Sequence, residues 1–147
     1  MKALIQRVTA ASVKIKNKEY CSINEGLCVF LGVKKSDTEL DVKYLVEKII
    51  NLRIFSDKND KINKSIYDIR GSILIVSQFT LYANCKKGNR PSFIDSADKL
   101  SATQLYDLFV NLLREKKIQI KTGIFGSDMK INLTNDGPVT IMLESEK

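Results

Sequence analysis

The chain has 147 residues, and its 24 Lys and Arg residues outnumber 17 Asp and Glu residues, giving a net charge of +7. This length suits one domain with a substantial hydrophobic core. The absence of histidine and of any CxxC pair among the three cysteines excludes Ser-His-Asp or Cys-His catalysis, HExxH zinc sites and a structural zinc centre with paired ligands.

The hydrophobic pattern predicts several strands. Alternation of apolar and polar residues indicates the first two strands, and continuous apolar runs indicate two strands that are buried on both faces. Three further strand-like pieces follow near the end of the chain. The predicted strands cover residues 2–8, 11–15, 26–33, 72–77, 118–125, 129–134 and 138–144.

Two helices are predicted between these strands. Ser36 and Glu39 form a candidate capping box for a helix over about 37–51, with Leu40, Tyr44 and Ile49 facing inward. The second helix, over about 98–116, has apolar residues at i, i+3, i+4, i+7 and i+8, which is typical of an amphipathic helix. A long loop over 83–97 precedes it. These apolar residues are Leu105, Leu108, Phe109, Leu112 and Leu113.

The element order indicates an α+β fold. Strands, a helix, a strand, a helix and strands favour one domain over 1–147, with a mixed or antiparallel β-barrel-like sheet and two main helices packed on it. The longest apolar run, Leu27 to Leu31, is far shorter than the about 18 residues of a membrane span. An odd cysteine count without a signal-like N-terminus favours reduced thiols, so we expect a cytoplasmic protein with no membrane partner.

The positive charge favours an anionic partner such as nucleic acid. Lys86, Lys87 and Arg90 form one basic cluster, and the region 114–117 forms another. The second cluster closes a predicted helix, where cations interact favourably with the helix dipole and need no ligand. Bias from AT-rich coding is an alternative source of the lysines, so charge alone leaves both interpretations open.

Two polar segments are candidates for chemistry. Ser77, Gln78 and Thr80 stand where a buried strand ends and a loop begins, which is a common functional position. The alternative is a plain polar strand end. The segment 135–140 has strong turn chemistry, and its Gly137–Pro138 bond is either an ordinary turn between the last two strands or a cis bond that orients neighbouring carbonyls.

Together these stretches resemble the D-aminoacyl-tRNA deacylase family, also described as the D-tyrosyl-tRNA(Tyr) deacylase family, along essentially the whole chain. Two short motifs of that family, SQxxT and NxGPxT, appear in order and without departures at the motif positions. The matching residues are the segments 3–8, 53–57 and 88–93, then Ser77, Gln78 and Thr80, then Asn135, Gly137, Pro138 and Thr140.

The resemblance implies a homodimeric hydrolase with its pocket at the subunit interface. Its substrate is the ester at the 3′-terminal adenosine of D-aminoacyl-tRNA, mischarged glycyl-tRNA included, and it needs no cofactor or metal. Ser77, Gln78, Phe79 and Thr80 correspond to the catalytic strand end. The resemblance also implies that Gly137 and Pro138 form a cis selector loop braced by Arg7, and that Phe125, Met129 and Ala102 line the pocket.

A mechanism without histidine is consistent with an activated ester, because orientation and fixed hydrogen-bond donors lower the barrier substantially. We expect the backbone N–H groups near Phe79 and Thr80 to stabilise the oxyanion, Gln78 to hold the substrate and water to attack. The resemblance implies assistance from the 2′-hydroxyl of the substrate. A covalent role for Thr80 is the alternative, although it needs an adjacent base.

Two other functions remain as alternatives to the hydrolase. One is a non-catalytic tRNA- or RNA-binding module, and the other is a protein-interaction module.

Overall fold

The computed structural model describes residues 1–145, so the last two residues of the predicted domain, Glu146 and Lys147, lie outside the described residues. The strands are β1 Lys2–Ile15, β2 Lys18–Ile23, β3 Gly26–Gly32, β4 Phe55–Ser56, β5 Ile62–Lys64, β6 Ser72–Ser77, β7 Gln119–Thr122 and β8 Lys130–Glu144. The helices are α1 Glu39–Ile50 and α2 Lys99–Glu115, and a 3₁₀ turn covers Phe79–Tyr82.

Strand β1 is the centre of the sheet because it is hydrogen-bonded along both edges. One edge pairs antiparallel with β3 near its start and with β2 near its end, and the other edge pairs antiparallel with β8. β3, β6 and β7 follow as parallel neighbours. The sheet curls into a nearly closed barrel, in which the Cys21 thiol of β2 donates to the Thr122 carbonyl of β7 at 3.4 Å. The predicted α+β fold with a mixed, barrel-like sheet is confirmed.

The sheet buries apolar side chains on both faces. Alternate residues such as Val29 and Ile75 face α1 and α2, where they pack with Phe109 in the larger core cluster. Their neighbours Cys28 and Leu74 face the interior of the barrel, in a second and smaller cluster. This two-sided burial accounts for the continuous apolar runs in β3 and β6, as expected for parallel strands covered on both faces.

The start of α1 differs from the prediction. Thr38, not Ser36, caps the helix, and the Asp41 carboxylate accepts hydrogen bonds from the Thr38 N–H at 2.7 Å and from its hydroxyl at 2.8 Å. Leu40 and Tyr44 are exposed, at 72% and 45% of their surface. The helix begins later than predicted, and the inward face is the one that carries Asp41, Val42, Leu45, Val46, Ile49 and Ile50.

Strand prediction was correct in location and wrong in continuity. The predicted strands 2–8 and 11–15 are one strand, β1, and the pieces 129–134 and 138–144 are one strand, β8. Strands β2, β4 and β5 were not predicted, and the second helix was placed to within one residue of α2 at each end. Across residues 1–145, no helix has the length and apolar character that crossing a bilayer requires.

Candidate active site

A cavity of about 320 Å³ opens where the parallel strands β3 and β6 end. Leu31 of β3 pairs with Ser77 of β6, so both strands deliver their carboxyl ends to this edge of the sheet. Of the residues predicted for the site, six line the cavity: Ser77, Gln78, Phe79, Ala102, Phe125 and Met129. The sheet, the start of α2 and the segment before β8 therefore form its walls.

The strand end at Ser77 turns sharply into the 3₁₀ turn. The Gln78 N–H donates to the Leu31 carbonyl at 2.8 Å and is the last link to β3. Among residues 1–145, the next two backbone N–H groups, those of Phe79 and Thr80, have no hydrogen-bond acceptor. Such free donors are expected where a helical turn begins. Phe79 lines the cavity, and Thr80 follows it without being one of the lining residues. The Gln78 side-chain amide donates to the Thr80 hydroxyl.

Phe79 forms the rim of the cavity, and 58% of its surface is exposed. Its ring meets the ring of Phe93 edge to face, with centroids 5.0 Å apart. The Ser96 hydroxyl donates to the Phe79 carbonyl at 3.1 Å. The long loop before α2 therefore holds the 3₁₀ turn in place from outside.

Phe125 and Met129 form the opposite wall. The Tyr106 ring of α2 packs edge to face on Phe125 at 5.5 Å, and its hydroxyl donates to the Ile75 carbonyl at 3.0 Å. Burial raises the pKa of Tyr106, so the phenol stays protonated as a hydrogen-bond donor. A Cβ at Gly123 would lie 2.5 Å from the Met129 sulfur, so Met129 occupies the space that a side chain at Gly123 would take.

The segment 135–140 is a bulge in β8 and not a turn between two strands. Gln6 of β1 pairs with Thr140, and Val8 pairs with Asn135. Four residues, 136–139, therefore stand opposite the single residue Arg7. The strand continues in the same direction beyond them, so the turn interpretation was wrong. The Gly137–Pro138 peptide bond at the tip is cis.

Side chains of the motif clamp the bulge from within. The Asn135 side chain accepts from the Val139 N–H at 3.0 Å and donates to the Thr140 hydroxyl at 2.7 Å. That hydroxyl also accepts from Gln6 at 3.2 Å. Asn135 and Thr140 thus join the two ends of the bulge, which explains why both residue types stand at these positions.

Arg7 braces the bulge from the other side. Its Nε lies 3.0 Å from an Asp136 carboxylate oxygen, and its Nη1 donates to the Ile54 carbonyl at 2.6 Å. The side chain of Arg7 is only 11% exposed. Gly137, Pro138 and Arg7 do not line the cavity, so the predicted site residues form two separate groups within one chain.

Several cavity residues were missed by sequence reasoning. Apolar residues at strand ends carry no signal that distinguishes a cavity wall from the core. The short polar segment 126–128 between two predicted strands was a usable signal, because polar residues after a strand often line sites. The missed residues are Leu31, Val33, Val76, Ala97, Gly126, Ser127, Asp128 and Ile131.

Comparison with known proteins agrees with this architecture. The family model described as D-Tyr-tRNA(Tyr) deacylase matches residues 4–144. A D-aminoacyl-tRNA deacylase of Clostridium botulinum (strain 657 / Type Ba4) is 54% identical over 147 residues, covering 100% of this chain and 99% of that protein. The corresponding protein of Clostridium botulinum (strain Alaska E43 / Type E3) is 50% identical with the same coverage.

Two solved structures are also similar. The c-Myc DNA unwinding element binding protein has a TM-score of 0.94 and 42% identity, with 100% of both chains covered. A probable eukaryotic D-amino acid tRNA deacylase has a TM-score of 0.86 and covers 98% of both chains, and at 18% identity it demonstrates the shared fold alone.

The fold and the cavity thus define a small barrel-like α+β protein whose site offers backbone donors, a carboxamide and hydroxyls. The chain belongs to the D-Tyr-tRNA(Tyr) deacylase family, which is a family of hydrolases.

Proposed function

We propose that this protein removes D-amino acids from tRNA by hydrolysing the ester that links them to the 3′-terminal adenosine, and that it acts on glycyl-tRNA as well. The observation that carries this proposal is the pair of free N–H groups of Phe79, which lines the cavity, and of the adjacent Thr80. Donors that are already oriented stabilise the negative charge that develops on the carbonyl oxygen during ester hydrolysis.

Water is the nucleophile in this proposal. It attacks the ester carbonyl, the tetrahedral oxyanion lies against the two N–H groups, and the 3′-oxygen of the adenosine leaves with a proton. Gln78 holds the substrate at the cavity edge, where its side-chain amide is already oriented by Thr80. Thr80 itself is exposed and bonded to an amide, which is not a base, so this environment favours a positioning role over a nucleophilic one.

We assign chiral selection, which is the discrimination between D- and L-aminoacyl esters, to the bulge of β8. Gly137 and Pro138 lie outside the cavity of their own chain, which favours a homodimer in which one protomer supplies the bulge to the cavity of its partner. Their carbonyls would hold the substrate α-ammonium group. An L side chain would then collide with the bulge, whereas a D side chain would point to solvent and glycine would offer no obstacle. With aminoacyl-tRNA as the substrate, the site of action is the cytoplasm.

The test is hydrolysis of matched D- and L-tyrosyl-tRNA by the purified protein, with EDTA present. We expect loss of the D ester alone. Gln78→Ala should slow this loss, while Gln104→Ala, an exposed change on α2, serves as the matched control. Equal hydrolysis of both esters would contradict the selector role, and hydrolysis of neither would contradict the proposed reaction.

A second candidate is a nucleic-acid-binding module that performs no chemistry. The net charge of +7 favours it, as does 42% identity to the c-Myc DNA unwinding element binding protein. A module of this kind would bind tRNA or DNA with strong salt dependence and leave the ester intact in the same assay.

A further inference from the structure

An exposed basic cluster lies on the loop that precedes α2. The backbones of Asn84 and Ser92 exchange two hydrogen bonds, at 2.8 and 2.9 Å, and close the base of this loop, the 84–92 arm. The arm carries Lys86, Lys87 and Arg90, and the sequence from 84 to 94 contains no acidic residue. All three side chains are exposed, and none forms an ion pair with any residue in 1–145.

The base of the arm is anchored at the cavity rim. Ser92 is followed by Phe93, whose ring packs on Phe79, and Phe79 lines the cavity. Lys86 and Arg90 each stand two residues from the base, so their Cα atoms extend at most about 7 Å from it. Because the base adjoins Phe93 at the rim, these long side chains start near the rim, within reach of an anion bound beside the cavity.

A further cation lies against the opposite wall. Cε and Nζ of Lys99, at the start of α2, are 3.7 and 3.9 Å from the position that a Cβ at Gly126 would occupy, and Gly126 lines the cavity. Lys99 is exposed and has no ion-pair partner within 1–145. The carboxylate of the neighbouring Asp98 instead accepts hydrogen bonds from the Ser101 N–H at 3.0 Å and from the Ser101 hydroxyl at 2.7 Å.

One acidic group lines the cavity, and a cation already neutralises it. Asp128 lies 3.4 Å from Lys130. Cations without an ion-pair partner within 1–145 thus lie on the loop next to the Phe79 rim and beside Gly126, whereas the one acid among the lining residues is paired. This is an electrostatic arrangement that attracts a polyanion rather than a cation.

We propose that the 84–92 arm and Lys99 bind successive phosphates of a single-stranded RNA 3′ end, so that its terminal aminoacylated nucleoside enters the cavity between them. The proposal rests on the proposed function, because it names the surface that delivers the same substrate. Lysine binds a phosphate as a point charge and arginine binds it through paired N–H groups. A cavity of about 320 Å³ has room for the end of one strand.

Three variants test the proposal. The triple change Lys86→Gln, Lys87→Gln and Arg90→Gln removes the arm charges, and Lys99→Gln removes the opposite charge. The control triple, Lys43→Gln, Lys58→Gln and Lys61→Gln, removes the same number of exposed positive charges elsewhere. The readout is kcat/KM for D-tyrosyl-tRNA as a function of salt, divided by kcat/KM for D-tyrosyl-adenosine, which has no phosphate. This ratio cancels any general loss of folded enzyme.

For the arm variant, we expect the slope of log(kcat/KM) against log salt to become shallower by about 2, and for Lys99→Gln by about 0.7, since each single-strand phosphate contact contributes about 0.7. The control triple should keep the wild-type ratio. A wild-type slope in the arm variant or in Lys99→Gln, or an equal change in the control, overturns the proposal.

Failure of the proposed function would be visible separately. If the wild type hydrolyses neither D-tyrosyl-adenosine nor D-tyrosyl-tRNA, the reaction is wrong. The same variants are then measured for binding of uncharged tRNA by fluorescence anisotropy across a salt series. Slopes that differ from wild type in the arm and Lys99 variants alone support the surface, and unchanged slopes overturn it.

Discussion

Arg7 and Asp136 are joined by a 3.0 Å ion pair that ties the middle of β1 to the bulge of β8. The same guanidinium reaches the Ile54 carbonyl at 2.6 Å. One side chain therefore connects three segments of the fold. The tip of the bulge is held from a largely buried position rather than from the surface.

The first prediction concerns this brace. Arg7→Lys replaces a planar fork with one ammonium, which cannot satisfy Asp136 and Ile54 in the same directions. We expect kcat/KM for D-tyrosyl-tRNA to fall about 100-fold, because small displacements of a positioning group have effects of that size. The decrease is measured in timed hydrolysis assays with D-tyrosyl-tRNA and with L-tyrosyl-tRNA. Arg53→Lys, which disturbs a comparable bond to the Asn63 carbonyl at 2.9 Å, should retain activity.

The second prediction concerns Gly137. Its φ of +120° is unfavourable for other residues, and an added Cβ would lie 3.0 Å from Arg7 Nη2 and 2.9 Å from a Val139 methyl. Gly137→Ala should lower stability by about 1–3 kcal/mol and reduce deacylation strongly. Gly88→Ala has a similar φ of +103° with nothing within 4 Å. Because Gly88 lies in the 84–92 arm, both variants are compared on D-tyrosyl-adenosine, which has no phosphate for the arm to bind. There the control should lose stability through backbone strain alone, so equal losses of activity in both variants would contradict the positional argument.

The third prediction separates positioning from covalent catalysis. Thr80→Ala removes the hydroxyl that accepts the Gln78 amide. Loss of one hydrogen bond predicts a decrease in kcat of no more than about tenfold. Intact-protein mass spectrometry of the wild type during turnover should detect no acyl adduct. A trapped acyl-enzyme, or a decrease of several thousandfold, would establish Thr80 as the nucleophile instead.

The fourth prediction concerns the size of the cavity. Ala102 lines it from α2, at the border of the core, and Ala102→Leu would fill part of the space. We expect KM to rise at least about tenfold with little change in the melting temperature, because crowding of a substrate pocket has effects of this order. Gln104→Leu introduces the same side chain on the exposed face of α2. An unchanged KM in Ala102→Leu would show that the substrate does not contact this wall of the cavity.

The fifth prediction uses the three thiols. Burial raises the pKa of Cys28 to about 12 and also raises the pKa of Cys21. Because the thiolate is the reactive form, Cys28 stays protonated and unreactive at any pH well below 12. Cys85 is exposed. Iodoacetamide at pH 8 should therefore add one group per native chain, at Cys85, as mapped by peptide mass spectrometry. Rapid labelling of Cys28 would show that the barrel interior opens.

Sequence patterns located most elements because buried apolar residues recur with the period of the helix or strand that carries them. The two-sided burial of β3 and β6 was visible as unbroken apolar runs, and α2 was visible from its amphipathic stripe. The start of α1 was misplaced because Ser36 and Thr38 both satisfy the capping pattern. Only the packing of Asp41 against Thr38 decides between them.

The bulge in β8 shows what local patterns cannot provide. Asn135, Gly137 and Pro138 are turn residues by composition, and a turn was the natural local interpretation. A bulge depends on the partner strand, since Gln6 and Val8 of β1 stay paired on either side of it. For the same reason, local patterns do not indicate that Gly137 and Pro138 lie apart from the cavity within one chain, whereas the family resemblance implied a pocket at the subunit interface.

The seam between β2 and β7 has a consequence for substrate access. β7 has four residues, pairs only with β6 among the strands of residues 1–145, and meets β2 through the Cys21 thiol. The segment that carries Phe125 and Met129 follows this strand directly. One side of the cavity therefore follows the edge strand β7, and the other side is formed by the ends of β3 and β6, which are each paired on both edges. Local opening concentrates where pairing is sparse, so we expect amide hydrogen exchange to be faster in β7 than in β3 and β6, and the Phe125 and Met129 wall to yield to a bulky ligand before the Ser77 wall does.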